Sequence, residues 1–83
     1  MKNIRIHVFI SGVVQGVFFR QSTKHHAMDF GVNGWIKNLA DGRVEGVFEG
    51  EESAVQDLVK FVSVGPKHAE VDNVEEVKED YIG

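Results

Sequence analysis

The spacing of apolar residues changes at one short segment, Gly12–Arg20, and this change limits the folds that are open to the chain. Before it, apolar residues alternate as in a strand with one face in a core (Ile4, Ile6, Val8 and Ile10). After it, side chains on one face recur at helical spacings of three and four (Phe19, Thr23, Ala27 and Phe30). The segment therefore predicts a strand, a glycine-containing loop and a helix over residues 20–30, with Gly31 as the C-cap.

Three more strands and a second helix are predicted after Gly31. Residues 32–39 and 43–49 form two strands that a turn at Asp41-Gly42 joins into a hairpin. A helix then begins with Glu51-Glu52-Ser53 and ends at Gly65-Pro66, and its apolar stripe contains Val55, Leu58, Val59 and Val62. A final extended segment contains Val71, Val74 and Val77. This β-α-β-β-α-β order predicts an α+β ferredoxin-like sandwich, with two helices on one face of a mainly antiparallel sheet.

Length and charge narrow the class of protein further. A chain of 83 residues fits one domain, residues 1–83, and the absence of cysteine excludes disulfides and thiolate metal sites. The net charge is −4 and the nine basic residues are spread along the chain, so we expect no nucleic-acid partner. The first residues lack the long apolar run of a signal peptide or membrane span, so we expect a cytoplasmic protein with no membrane partner.

The loop itself has the composition of an anion site. Gly12 and Gly16 allow the backbone to curve so that several N–H groups converge, and the start of a helix adds unpaired donors. Arg20 adds a planar guanidinium that can bind a phosphate or a carboxylate through two hydrogen bonds. By spacing alone, an ordinary strand-to-helix connection with a solvated Arg20 remains an alternative.

A second segment, Gly34–Glu45, places Asn38 close to the end of the second predicted strand. In the expected topology its amide lies near the mouth of the glycine loop. An amide does not remove a proton at neutral pH, but its carbonyl oxygen can hold a water molecule and its N–H groups can donate.

The two segments together resemble the acylphosphatase family. Its first motif, Gly-x-Val-Gln-Gly-Val-x-Phe-Arg, is matched by Gly12, Val14, Gln15, Gly16, Val17, Phe19 and Arg20. Its second motif, Gly-Trp-x-x-Asn-x-x-Asp-Gly-x-Val-Glu, is matched by Gly34, Trp35, Asn38, Asp41, Gly42, Val44 and Glu45. Gly65-Pro66 with the later Ala69-x-Val71 resembles a third segment of the family. The matches follow in the expected order over nearly the whole chain.

The resemblance implies a hydrolase of acyl phosphates, the mixed anhydrides of carboxylic and phosphoric acids, that uses neither a metal nor a cofactor. Its partner is then a small acyl phosphate substrate. By the same resemblance, Arg20 binds the phosphoryl group and Asn38 orients the attacking water. The backbone N–H groups of the loop complete a phosphate cradle (Gln15, Gly16, Val17, Phe18 and Phe19), and Thr23 helps to organise the site from the helix.

Two other functions remain open at this stage. One is a non-catalytic domain of the same family that binds an anion or a protein partner. The other is an RNA-recognition module, which has the same element order and needs exposed aromatic side chains on its central strands, where Phe9 and Phe48 stand. The acidic charge balance disfavours the RNA module. His25 and His26 are adjacent on the predicted helix and lack the spacing of a metal pair.

Two departures from the family pattern bear on the expected structure. Phe18 stands where many relatives have glycine, although others have phenylalanine. Relatives also continue past a segment like Tyr81-Ile82-Gly83 into one more short strand, so that final strand is expected to be missing, either because the chain is naturally short or because it is truncated. We expect a monomer of lowered stability, in which an exposed sheet edge offers a route to association.

Overall fold

The computed structural model describes residues 2–83, and its element order is the predicted β-α-β-β-α-β. The sheet is antiparallel, with the strand order β2-β3-β1-β4. Its strands are β1 (Asn3–Val13), β2 (Asn33–Asn38), β3 (Val44–Glu51) and β4 (Glu70–Glu79), and the helices are α1 (Phe19–Phe30) and α2 (Glu52–Val64). The ferredoxin-like α+β prediction is confirmed, with shifts of one or two residues at the element ends.

The core lies between the sheet and the two helices. The predicted stripe of α2 is buried throughout, and the alternating residues of β1 face it (Ile4, Val8 and Ile10 from β1; Val55, Leu58, Val59 and Val62 from α2). On α1, Phe19 and Thr23 are buried, whereas Phe30 was assigned to the same face and is 37% exposed. Helical spacing keeps Phe30 on this face, but it is the last residue of α1, and its ring packs edge-on against His26.

The ends of the helices follow the local sequence. Gly31 adopts the left-handed conformation with φ 72°, and its N–H bonds to the carbonyl of Met28, which confirms the predicted C-cap. Glu51 is the N-cap of α2, and its carboxylate accepts a hydrogen bond from the N–H of Ala54. None of the helices within residues 2–83 has the length and apolar character that crossing a membrane requires.

The face of the sheet away from α1 and α2 carries a polar network. His7 lies between two carboxylates, with Nδ1 2.8 Å from Glu79 and Nε2 2.6 Å from Glu45. The Arg5 guanidinium donates to Glu79 at 3.0 Å and to Glu49 at 3.4 Å. Across β1, β3 and β4, these charges alternate in sign and pair with one another.

The aromatic arrangement on the sheet does not match an RNA-recognition module. Phe48 is 3% exposed and belongs to the core beneath the helices, because it shares the inward row of β3 with Val44. Phe9 lies on the opposite face and stacks on His7, with ring centroids 4.7 Å apart. The two rings therefore lie on opposite faces of the sheet and do not form one stacking surface.

Candidate active site

The loop between β1 and α1 begins at a bulge that only glycine fits. The β1–β4 register shifts between Ser11 and Gly12, and Gly12 has φ 128°. A Cβ atom at Gly12 would lie 2.1 Å from the carbonyl oxygen of Glu70 on β4. Gly16, with φ 73° and open space around its Cα, turns the chain again further along the loop. These two bends direct the backbone of the loop back toward the start of α1.

No side chain within residues 2–83 caps the start of helix α1. Its N-cap is Phe18, a non-glycine residue with φ 59° and ψ 23°, and no side chain accepts from the first turn. No backbone N–H of residues 15–21 donates to another backbone group within residues 2–83. Because these donors lie beside the positive end of the helix dipole, they form a surface suited to an anion.

Arg20 lies in the first turn of α1 and is exposed. Arg5 and Arg43 each bind carboxylates, at Glu49 and Glu79 and at Asp41, but Arg20 forms no ion pair within residues 2–83. Its guanidinium is thus available to a ligand that carries negative charge.

Asn38 is the last residue of β2, and it lines the same cavity as Arg20. The cavity has a volume of about 160 Å³ and is lined by Val14, Gly16, Phe18, Phe19, Arg20, Gln21 and Asn38. The side-chain amide of Asn38 forms no hydrogen bond within residues 2–83. The structure therefore brings the loop and the second segment together, as the sequence analysis expected.

Two of the predicted cradle residues do not line this cavity. Val17 packs against the core, and the side chain of Gln15 is turned toward the β2–β3 hairpin. Only their backbone N–H groups remain candidates for the cradle. Thr23 is 1% exposed, and its hydroxyl donates to the carbonyl of Phe19 at 2.8 Å, so it supports the first turn of α1 from below.

Gln21 lines the cavity but was not identified from the sequence. The signal that could have identified it is its place in the first helical turn, directly after Arg20. The side chains of that turn lie around the same unpaired N–H groups.

A larger apolar groove of about 330 Å³ lies beside the cavity, between α1 and β2. Its walls include Ala27, Met28 and Ile36, and the one charged residue among its lining is Lys24. We place the candidate site at the smaller cavity because that is where a free guanidinium, unpaired N–H groups and an amide meet.

The chemistry open to this cavity is limited by its lining. Arg20 is the single titratable residue among the residues that line it, and no carboxylate or histidine lies there to act as a general base. The arrangement can bind an anion and orient a water molecule. It is therefore suited to a substrate whose leaving group needs no protonation.

Fold and site together define a small α+β sandwich with a loop suited to an anion and a neighbouring amide. The acylphosphatase family model matches residues 6–83. An acylphosphatase of Rubrobacter xylanophilus is 58% identical over 71 residues, which are 86% of this chain and 64% of that protein. One of Pelotomaculum thermopropionicum is 51% identical over 83 residues, which are 100% of this chain and 90% of that protein.

This chain is also similar to a solved acylphosphatase structure. The structure of an acylphosphatase from Coxiella burnetii superposes with a TM-score of 0.92 and 40% identity, over 98% of this chain and 85% of that one. The chain belongs to the acylphosphatase family, the enzymes that hydrolyse acyl phosphates.

Proposed function

We propose that this chain hydrolyses acyl phosphates to a carboxylate and inorganic phosphate in the cavity between Arg20 and Asn38. The observation that carries the proposal is that one cavity is lined by an arginine, a run of backbone N–H groups and an amide, none of which has a partner within residues 2–83. Each of these groups performs one part of the reaction.

The phosphoryl group binds at the loop. The Arg20 guanidinium donates to its oxygens, and the backbone N–H groups of residues 15–19 surround it from the loop side. Together with the positive end of the α1 dipole, these donors stabilise the charge on the equatorial oxygens in the transition state.

The nucleophile is a water molecule held by Asn38. The amide carbonyl oxygen accepts from the water, and the amide N–H donates, which fixes the water in line with the scissile bond. A bond forms between the water oxygen and phosphorus while the bond from phosphorus to the acyl oxygen breaks. The carboxylate leaves without protonation, and a phosphate oxygen of the substrate takes the proton of the water.

The test is a benzoyl phosphate assay on the purified chain and on Arg20→Ala and Asn38→Ala. We expect turnover by the parent and a loss of at least about 10²-fold in rate for each variant, by analogy with lost oxyanion donors. Lys60→Ala and Asn73→Ala are matched controls, because both residues are exposed and neither lines the cavity. The proposal is contradicted if Arg20→Ala turns over at the parent rate. It is also contradicted if the parent binds phosphate without any turnover.

We further propose that the chain acts as a single domain and a monomer in the cytoplasm. The support for a monomer is that one copy supplies both halves of the site, from the loop and from β2. Light scattering behind a sizing column tests the oligomeric state, and cell fractionation tests the compartment. A dimer as the sole active species, or activity confined to the membrane fraction, contradicts this part.

A further inference from the structure

The side chain of Gln15 joins the phosphate loop to the β2–β3 hairpin. Its amide nitrogen donates two hydrogen bonds, one to the carbonyl oxygen of Leu39 at 2.8 Å and one to that of Arg43 at 2.9 Å. Both N–H bonds of this nitrogen are thereby used, and both partners lie 24 or more residues away in the sequence. Gln15 is half-buried, so water does not compete freely for these bonds.

The two acceptor carbonyls lie at the turn of the β2–β3 hairpin, and one of them, that of Leu39, directly follows Asn38. The N–H of Leu39 already bonds to the carbonyl of Arg43 at 2.8 Å, and the N–H of Gly42 bonds to the carbonyl of Leu39 at 3.2 Å. The Gln15 amide closes this set of bonds from the loop side. One side chain thus connects the backbone of the cradle to the residue that follows Asn38.

We propose that Gln15 is a positioning residue that sets the separation between the bound phosphoryl group and the water on Asn38. This inference rests on the proposed function, because Gln15 is proposed to fix the distance between the phosphoryl group at Arg20 and the water on Asn38. The side chain does not bind the substrate, since its donors bond to the hairpin. It acts because a displacement of the nucleophile by about 1 Å can cost about 10²-fold in rate.

Two substitutions separate this role from general stabilisation. Gln15→Met keeps the approximate length of the side chain but removes both donors. Gln15→Glu keeps the shape, but its carboxylate has no donor and faces two carbonyl oxygens, whereas the protonated acid regains one O–H donor. Gln56→Met is the matched control, because Gln56 is exposed on α2.

The first measurement compares catalysis with phosphate binding. For Gln15→Met we expect kcat for benzoyl phosphate to fall about 10- to 100-fold, while the inhibition constant of inorganic phosphate stays unchanged. For Gln15→Glu we expect the kcat ratio to the parent to recover as the pH falls and the carboxyl takes up its proton. A role limited to holding the fold together would weaken phosphate binding along with kcat.

The second measurement is a double-mutant cycle with Asn38. If Gln15 acts through Asn38, then Gln15→Met adds no further loss of kcat in the Asn38→Ala background. Full multiplication of the two losses, or parent-level kcat in both Gln15 variants, overturns the inference. A parent chain without turnover instead counts against the proposed function, so the two failures are distinguishable.

Discussion

Phe18 holds a backbone conformation that normally belongs to glycine. Its φ of 59° places it in the left-handed region as the N-cap of α1, and its ring is 69% exposed, so little packing offsets the strain. Glycine reaches this dihedral angle without strain, so the angle itself favours glycine over phenylalanine at this position.

The conformation predicts an unusual order of stability at position 18. Phe18→Gly should be more stable than Phe18→Val by about 1 kcal/mol, since a β-branched residue is the least able to adopt this conformation. At Val64, an exposed position at the end of α2, we expect the reverse order, with valine more stable than glycine. Urea unfolding of both pairs measures the difference. If valine were more stable than glycine at position 18 as well as at position 64, the φ angle of Phe18 would not be strained.

The free energy of unfolding should depend on pH through His7. Burial lowers the pKa of His7, but hydrogen bonds to Glu79 and Glu45 raise it by more, so the net pKa lies above its ordinary 6.5. Hydrogen bonds from His7 and then from Arg5 lower the pKa of Glu79 below its ordinary 4.5. His7 adds its full contribution to the free energy of unfolding below pH 6.5, and this contribution is lost as the pH rises through the raised pKa. The Glu79 contribution is complete above pH 4.5 and is lost as the pH falls through the lowered pKa.

We therefore expect the melting temperature to be highest between the two ordinary pKa values and to fall as the pH rises above 6.5 through the raised pKa of His7. His7→Gln should reduce this decline, because the glutamine does not titrate. His68→Gln is the control: His68 is exposed in the turn before β4 and forms no ion pair within residues 2–83. The same decline in the parent and in His7→Gln would assign the pH dependence to other groups.

At the scale of elements, α2 contributes the most regular apolar face of the molecule. Val62 is 0% exposed and Val64 is 74% exposed, although both are valines two residues apart on the same helix. Val62→Ala removes two methyl groups from the core and leaves a cavity, at a cost of about 2–3 kcal/mol. Val64→Ala should stay within about 0.5 kcal/mol of the parent. Denaturant midpoints of the two variants measure the contrast, and equal midpoints would mean that α2 does not form the core as described.

Periodicity predicted the elements well but not the burial of every residue in them. In β3, Val47 alternates with the core residues and belongs by pattern to the outward row, yet it is 1% exposed. Its register partners are His7 on β1 and Trp35 on β2, and the ring centroids of these two residues lie 6.0 Å apart on the outward face. Such burial depends on which strands become neighbours. Spacing within one strand carries no information about it.

At the scale of the molecule, both halves of the candidate site were predictable because a short motif marks each of them. The sequence did not predict the left-handed Phe18, the turn of the Gln15 side chain into the hairpin, or the place of Gln21 in the cavity wall. These three depend on the angle at which α1 leaves the loop and on the distance to β2. That geometry depends on how the buried residues Phe19 and Thr23 of α1 are packed, which no single segment encodes.

The whole fold should respond to phosphate, because the cradle exists in the folded chain alone. A ligand that binds only the folded state at 100 times its dissociation constant adds about 2.7 kcal/mol of stability. For a domain of this size that is roughly 10–20 °C in melting temperature. Arg20→Ala should lose most of this shift, since the proposed mechanism assigns the phosphoryl oxygens to its guanidinium. Asn38→Ala should keep it, since the proposed mechanism assigns water and not phosphate to its amide.

Thermal scans with increasing inorganic phosphate, repeated with sodium chloride at equal ionic strength, measure this response. The chloride series separates binding from screening of the surface charges. A shift that Arg20→Ala retains in full would place the phosphate elsewhere on the chain. If Asn38→Ala loses the shift as completely as Arg20→Ala does, Asn38 is a phosphate ligand. The proposed separation of phosphate binding by the loop from water binding by β2 would then be wrong.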